Sequence, residues 1–386
     1  MTQTVKRAGF NPRAYDLLVG LDVDKKSMSA TFADVQNLLN SIRLPYSSTQ
    51  LLNYVRKQYP EKSRVAFIYE AGPTGFGLHD ELTSAHHTCL VVTPAKIPTV
   101  PGNRVKTNRL DSRKLVQTLR SGDLQTVHVP ARAYRELRHL VQLRDTHVRQ
   151  LSATKCRIKA LLLYEGIAFP DEKGRWSKTV IAQLQTLPAT RAVRFKLNQL
   201  LESLEFHFKS AASTQKEIRL VCKADAELRQ SIALLKTIPG IGWIVAAHLV
   251  ARLGDWREID NVRSIAGFLG LVSSEHSTGD KQNRGRITRS GDSRLRNKLI
   301  QTAWIAIGKD AELRAFYRSV YQRQPQKLAA RKAIVAVARK LTTRIYAVLK
   351  QQRPFELRAD ISTAPLTTEE TAGLRERLDT AQNESF

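Results

Sequence analysis

The sequence predicts an α/β layer in roughly its first third and an all-helical remainder. Two observations carry this. Up to about residue 128, short apolar runs that end in acidic or turn-forming residues alternate with helix-like stretches, the pattern of a sheet covered by helices. From about Arg132 onward Gly and Pro become sparse, and apolar residues recur by alternating fours and threes, the spacing of long helices.

Charge narrows the partner. The 62 Lys and Arg stand against 35 Asp and Glu, a net charge of +27 spread along the chain rather than held in one tail. That excess calls for a polyanion, most simply nucleic acid, bound with strong salt dependence. No apolar run is long enough to span a membrane, and no basic amphipathic segment stands out, so no membrane partner is expected. The three cysteines, Cys89, Cys156 and Cys222, have no C-x-x-C spacing and suggest neither a zinc site nor a disulfide framework. They fit a reducing cytoplasm, and Asp22 and Asp24 cut the first apolar run, so no signal peptide is expected.

In order, Leu17 to Val23 reads as a buried strand, Lys25-Lys26 as a turn and Ser27 to Phe32 as its hairpin partner. A helix covers Leu51 to Gln58. The strand Arg64 to Tyr69 runs out at Glu70, a helix lies near Gly77 to Ala85, and the strand Cys89 to Val92 closes at Thr93-Pro94. Asp22 and Glu70 both sit where a strand ends, which is where open sheets place their chemistry. A helix beginning at Asn108 puts Asn108 and Asp111 on one face. Asp22, Glu70, Asn108 and Asp111 therefore form a candidate oxygen-donor set for Mg²⁺ or Mn²⁺. The plainer readings are a helix cap for Asn108 and Asp111, a turn aspartate at Asp22 and a solvated strand end at Glu70.

The helical part opens with a seam through Leu137, Val141, Arg144, Val148, Leu151, Lys155, Ile158 and Leu162, broken at Gly166 to Ser177. A second seam runs through Val193, Leu197, Leu200, Leu204, Ile218 and Val221. Two long helices as an antiparallel hairpin, or a dimer through this seam, account for it. Leu234 to Gly254 resembles a helix-hairpin-helix whose Gly240 and Gly242 offer backbone N–H groups to a phosphate; a helix corner buried in the core is the alternative. His248, inside an apolar helix, reads as a packed histidine. Helices are expected over Arg263 to Leu271, Leu299 to Gly308, Ala311 to Tyr321 and Lys327 to Gln351.

One stretch, residues 277–298, carries Ser277, Thr278 and Gly279 beside Lys281, Arg284, Arg286, Arg289, Arg294, Arg296 and Lys298, against only Asp280 and Asp292. Its apolar residues are isolated, so most of it is expected outside the core, with its glycines letting backbone approach a ligand. A hydroxyl among guanidinium groups suits phosphodiester chemistry. A solvated basic loop that only touches phosphates is the alternative. The last part, from about Phe355, has seven acidic and three basic residues and is expected to be a disordered tail. There is no internal repeat and no G-x-x-x-x-G-K loop.

Taken as an ordered set, GLDVDKK around Asp22, YEAGPTG around Glu70, VKTNRLDSRKL around Asp111, IPGIG, AGFLGLVSSEHSTG, GRITRSGDSRLR and ARKLTTRIYAVLK resemble the transposases of the insertion-sequence 110 and 1111 groups, the bridge-RNA-guided recombinases, over roughly residues 15 to 352. The resemblance implies a RuvC-like domain of ribonuclease H fold over 1–128 with a four-acid Mg²⁺ site, a helical coiled coil over 129–229 and a transposase domain over 230–354. It also implies a serine that attacks DNA to form a covalent intermediate, an active site shared between protomers of a dimer or tetramer, and an element-encoded guide RNA that pairs with donor and target DNA. Lys106, in the same motif as Asp111, joins the candidate nucleic-acid contacts. The chain departs from the pattern twice: Asn108 stands where the family has an acid, and Thr278 stands where it has the serine. By register the nucleophile is Thr278; by chemistry the less hindered Ser277, one residue earlier, is easier, and both stand as candidates. A metal-dependent junction nuclease using water and a non-catalytic nucleic-acid-binding protein are the competing readings.

Overall fold

The computed structural model describes residues 10–93, 108–122, 124, 126–275 and 284–357. The chain divides into two compact units, residues 1–129 and 130–386.

The first unit is a five-stranded mixed sheet of order β3-β2-β1-β4-β5, formed by β1 (Leu17–Val23), β2 (Ser27–Ala33), β3 (Leu38–Pro45), β4 (Val65–Glu70) and β5 (Thr88–Val92). β1, β2 and β3 pair antiparallel, and β4 and β5 continue parallel to β1. Both faces of β1 and β4 are covered, which is why these strands read as unbroken apolar runs. On one face Leu17, Val19, Leu21, Phe67 and Tyr69 pack with α1 (Ser48–Gln58) and α2 (Gly77–Ser84). On the other, Leu18, Ala66 and Ile68 pack with Leu115, Val116 and Leu119 of α3 (Asn108–Ser121). α3 lies directly on β1: a Cβ at Gly20 would sit 2.3 Å from the Ser112 carbonyl oxygen and 2.5 Å from the Val116 nitrogen. A buried Thr31–Ser112 hydroxyl hydrogen bond of 2.8 Å ties the same helix to β2.

The hairpin, the β4 and β5 strands and the three helices match the expectations closely. β3 was not expected. It is an edge strand, LLNSIRLP, with no residue buried and Leu39 41% exposed, so neither face imposes an alternating pattern.

The second unit is helical. α4 (Arg132–Tyr164) and α6 (Arg191–Ala224) form an antiparallel hairpin. Its distal half has its own core of Leu151, Ile158, Leu162, Leu197 and Leu204, closed by α5 (Lys178–Thr186), a short helix that was not expected. Its proximal half, with Tyr134, Leu137, Val141, Ile218 and Cys222, merges into the main core. Between them the seam turns polar. Arg144 donates to Gln215 Oε1 (3.4 Å), His147 faces His207 (3.2 Å between Nδ1 atoms), and Asp145, Thr154 and Thr214 fill buried positions.

The main core is completed by α7 (Ala226–Leu235), α8 (Trp243–Leu253), α9 (Val262–Phe268), α10 (Ser293–Lys309), α11 (Ala311–Gln322) and α12 (Gln326–Gln351). α12 buries Ile334, Val337, Ala338, Leu341, Ile345 and Val348 along one side. It also buries Arg344, which pairs with Asp310, the buried N-cap of α11, and reaches Glu312 at 3.0 Å. Between α9 and α10 lies a two-stranded ribbon, β6 (Ser273–Glu275) and β7 (Arg284–Ile287), antiparallel to each other.

Two expectations are corrected. α10 begins at Ser293 rather than near Leu299, and Asp292, Leu295 and Arg296 of the basic stretch are buried. Phe355, assigned to the tail, is held in place: its N–H donates to Thr237 Oγ1 (2.8 Å) and its ring lies 4.6 Å from the Arg344 guanidinium carbon. The rest of the tail, from residue 358, lies outside the described residues.

Candidate active site

In the first unit, register brings the acids together. Leu21 pairs with Tyr69 across the parallel β1–β4 ladder, so Asp22 and Glu70 are the next neighbours at the ends of adjacent strands. Side chains alternate along a strand, so both fall on the α3 face with Leu18, Gly20, Ala66 and Ile68. α3 runs antiparallel to β1. Ser112 and Val116 sit over Gly20, and Gly122, just past the other end, lies 3.1 Å from the Phe10 carbonyl when extended by a Cβ. The first turn of α3, with Asn108 and Asp111, is therefore level with the end of β1 that carries Asp22. Asp22 and Glu70 are partly exposed, and the Asp111 side chain is 22% exposed.

All these donors are hard oxygen ligands, which suit Mg²⁺ or Mn²⁺ rather than a soft metal. Among the described residues, however, no group of three or more His, Cys, Asp or Glu is close enough to hold a metal ion. Asp111 pairs with Lys114 at 3.3 Å, one helical turn on, so Lys114 competes with any metal for its carboxylate. The side chain of Asn108 and all of Lys106 lie outside the described residues. Lys114 was missed in the sequence, although its i,i+3 spacing from Asp111 marks it.

In the second unit, Ser277, Thr278 and Lys281, together with the side chain of Arg284, lie outside the described residues. The rest of the stretch divides. Arg286 on β7 and Arg289 beyond it are exposed, Arg289 with a left-handed φ of 53°. Arg296 is buried, and its guanidinium donates to the carbonyls of Leu269 (2.8 Å) and Arg289 (3.3 Å). Expected as a phosphate contact, it is spent on the chain's own backbone, and burial lowers its pKa. Asp292 caps α10 by accepting from Leu295 N–H (3.0 Å) and pairs with Arg252 of α8. Burial works to raise the Asp292 carboxyl, but that N–H and the Arg252 guanidinium outweigh it and hold the carboxyl below its usual range. Arg252, forty positions away in sequence, has no local pattern that announces it.

The glycines of this region serve packing. A Cβ on Gly291, at φ 101°, would lie 2.1 Å from the Phe268 carbonyl oxygen, so the site excludes a side chain. The expectation that Gly291 lets a ligand approach is replaced by close backbone crossing. Gly240 behaves the same way: its Cβ would meet the Thr302 carbonyl at 2.7 Å, making this hairpin a corner packed on α10. Gly242 differs. It is exposed, caps α8 with no side-chain bond, and has nothing within 4 Å of its Cβ position. Lys298 reaches back to the buried Asp145 of α4 (3.1 Å). His248 is also buried there, 3.4 Å from Asp145 Oδ1 without a hydrogen bond, and its pKa falls to about 2 through desolvation and the surrounding Lys298, Arg144, Arg252 and Arg294.

The chain matches known sequences over both units. The profile named DEDD Tnp IS110, described as a transposase, matches residues 19–165, and the profile described as Transposase IS116/IS110/IS902 family matches residues 232–318. A putative transposase, y4qE, of Sinorhizobium fredii is 31% identical over 312 residues, covering 75% of this chain and 76% of its own. The pilin gene-inverting protein of Moraxella bovis is 25% identical over 348 residues, 88% of this chain and 98% of its own. The transposase for insertion sequence element IS1111A of Coxiella burnetii is 25% identical, over 73% of this chain and 74% of its own. The first profile spans Asp22, Glu70 and Asp111 and the second spans the basic stretch, so the two candidate sites and the similarity coincide: this chain belongs to the IS110/IS116/IS902 family of transposases, which are DNA-processing enzymes.

Proposed function

We propose that this transposase cuts and rejoins DNA through a covalent phosphoester to Ser277 or Thr278, working with the oxygen-donor set Asp22, Glu70, Asn108 and Asp111. The observation that carries the reading is that register sets Asp22 and Glu70 side by side at the ends of β1 and β4, level with the first turn of α3. The strand order β3-β2-β1-β4-β5, three antiparallel strands followed by two parallel ones, supports a RuvC-like ribonuclease H fold for residues 1–128. The exposed Phe195, Phe206 and Phe208 of α6 support a coiled-coil region over 129–229 through which protomers assemble as dimer or tetramer. Residues 230–354 act as the transposase domain.

The chemistry is two transesterifications. The hydroxyl oxygen attacks the scissile phosphorus, its P–O bond forms as the bond to a deoxyribose oxygen breaks, and the proton lost by the hydroxyl ends on that leaving oxygen by way of an acidic carboxylate, for which Asp22 is the candidate. The freed hydroxyl of a second strand then attacks the same phosphorus and releases the side chain, so no outside energy source is needed. The exposed Arg286 and Arg289 neutralise the phosphate. Mg²⁺ or Mn²⁺, when bound to the oxygen-donor set, would polarise the phosphoryl oxygens and lower the hydroxyl pKa. In this reading the acids of one protomer serve the hydroxyl of another, an element-encoded RNA supplies most sequence readout by base pairing, and the protein works on the nucleoid in a bacterial cytoplasm. Among the described residues no helix is long and apolar enough to cross a membrane.

The uncharged Asn108 and the Lys114–Asp111 pair favour a second reading, a nucleic-acid-binding protein that has lost catalysis. A covalent-adduct assay separates them. Full-length protein with its co-purifying RNA is mixed with Mg²⁺ and end-labelled junction DNA and run under denaturing conditions. A labelled protein band that disappears in Asp22→Ala and in only one of Ser277→Ala and Thr278→Ala is expected. Cleaved DNA without a band would point to water as the nucleophile, and binding with neither product to lost catalysis.

A further inference from the structure

Resting on the nucleic-acid reading above, we propose that the groove between α4 and α10 seats one phosphodiester strand, the sugar-phosphate backbone of DNA or RNA, held by Arg149 and Arg294. α8 packs against both helices, and between them an open groove of about 640 Å³ remains. α4 turns one face into it through Asp145, Arg149, Ser152 and Cys156, spaced by fours and threes. α10 answers with Arg294, Asn297, Lys298 and Gln301, which share one helical face.

The net charge of the groove is positive. Among the described residues Asp145 is its only acid, is 8% exposed, and is taken up by Lys298 at 3.1 Å. Arg149 is exposed, and among the described residues its side chain bonds only the neutral Thr146 hydroxyl (3.3 Å), so its cation is left without a counterion. Ser152, Ala153 and Cys156 keep the α4 wall low, so a backbone can come close. Among the described residues no aromatic side chain lines the groove, so they offer no platform for stacking bases; what they match is the phosphate backbone. The groove adds α4, a helix outside the basic stretch, to the nucleic-acid surface.

The groove carries its own reporter. Cys156 lies in its wall and is exposed, whereas Cys89 and Cys222 are buried. The test is the rate of maleimide labelling of Cys156 in the full-length protein, with binding followed in parallel by the anisotropy of a fluorescent single-stranded oligonucleotide. At ten times the Kd, occupancy is expected to slow labelling about tenfold. Arg149→Glu should abolish the protection and Arg149→Ala should lower the slope of log K against log salt by about 0.7. Lys178→Glu, on α5 outside the groove, should leave protection intact. Arms with DNA and RNA of one sequence name the source of the strand by which protects better. Oligonucleotide that binds while Cys156 still reacts at the free rate overturns the groove and leaves the wider reading standing. A duplex that protects as well as a single strand overturns it too, and failure of every oligonucleotide to bind overturns both.

Discussion

The acids of the first unit are scattered in sequence, yet parallel register sets Asp22 and Glu70 side by side at the ends of β1 and β4, level with the first turn of α3, which lies flat on Gly20. The cations of the second unit are contiguous in sequence and are pulled apart by the fold. Arg286 and Arg289 face solvent, Lys298 and Arg294 line the α4–α10 groove, and Arg296 turns inward to backbone carbonyls. The difference lies in the period of the element that carries each residue. Strand ends converge, whereas a helix that starts at Ser293 rotates successive residues by about 100°, so neighbours in sequence part company. A run of like charges therefore says little about which members touch a ligand.

This contrast can be broken at Arg296. Arg296→Ala should destabilise the protein by about 2–4 kcal/mol, since it leaves a cavity and takes the guanidinium donor from a buried carbonyl (Leu269) and a partly buried one (Arg289). Chemical denaturation checks this, and loss of nucleic-acid affinity without loss of stability would return Arg296 to the phosphate-contacting set. A smaller effect concerns His248, whose folded pKa of about 2 lies below its ordinary value near 6.5. Below pH 6.5 the unfolded chain takes up a proton that the folded chain refuses, so stability should fall as pH drops, by on the order of 1 kcal/mol per pH unit toward pH 4. His248→Gln should flatten that slope in urea midpoints measured between pH 7 and pH 4.5. The smallest effect on stability belongs to the exposed pair. Arg286→Ala and Arg289→Ala should each change unfolding free energy by less than about 0.5 kcal/mol, while lowering the duplex-DNA salt slope by about 0.9 for each phosphate no longer neutralised.

Much of the fold was legible where burial imposes a period. β1 and β4 read as strands because both faces are covered, and α4, α6 and α12 read as helices because each keeps one apolar side. β3 and α5 escaped because an edge strand and a short tip helix bury too little to leave a pattern. At the sites, Asp22 and Glu70 were legible from their positions at strand ends. Lys114's hold on Asp111 competes with that expectation through a local pairing. Gly291 was read as an opening for a ligand and Gly240 as part of either a phosphate-binding hairpin or a buried helix corner; both are crowded by backbone from elements distant in sequence, which selects the corner.

By itself the sequence determined most of the elements, the family and the positive charge, since these follow from local periodicity, ordered motifs and composition. Only the tertiary structure decided which cations are solvent-facing, that Asp145 and Lys298 join α4 to α10, and that Arg252 secures Asp292. Those facts depend on contacts between residues far apart in the chain, where the cost of burying a charge selects the partner, and no local spacing records that choice.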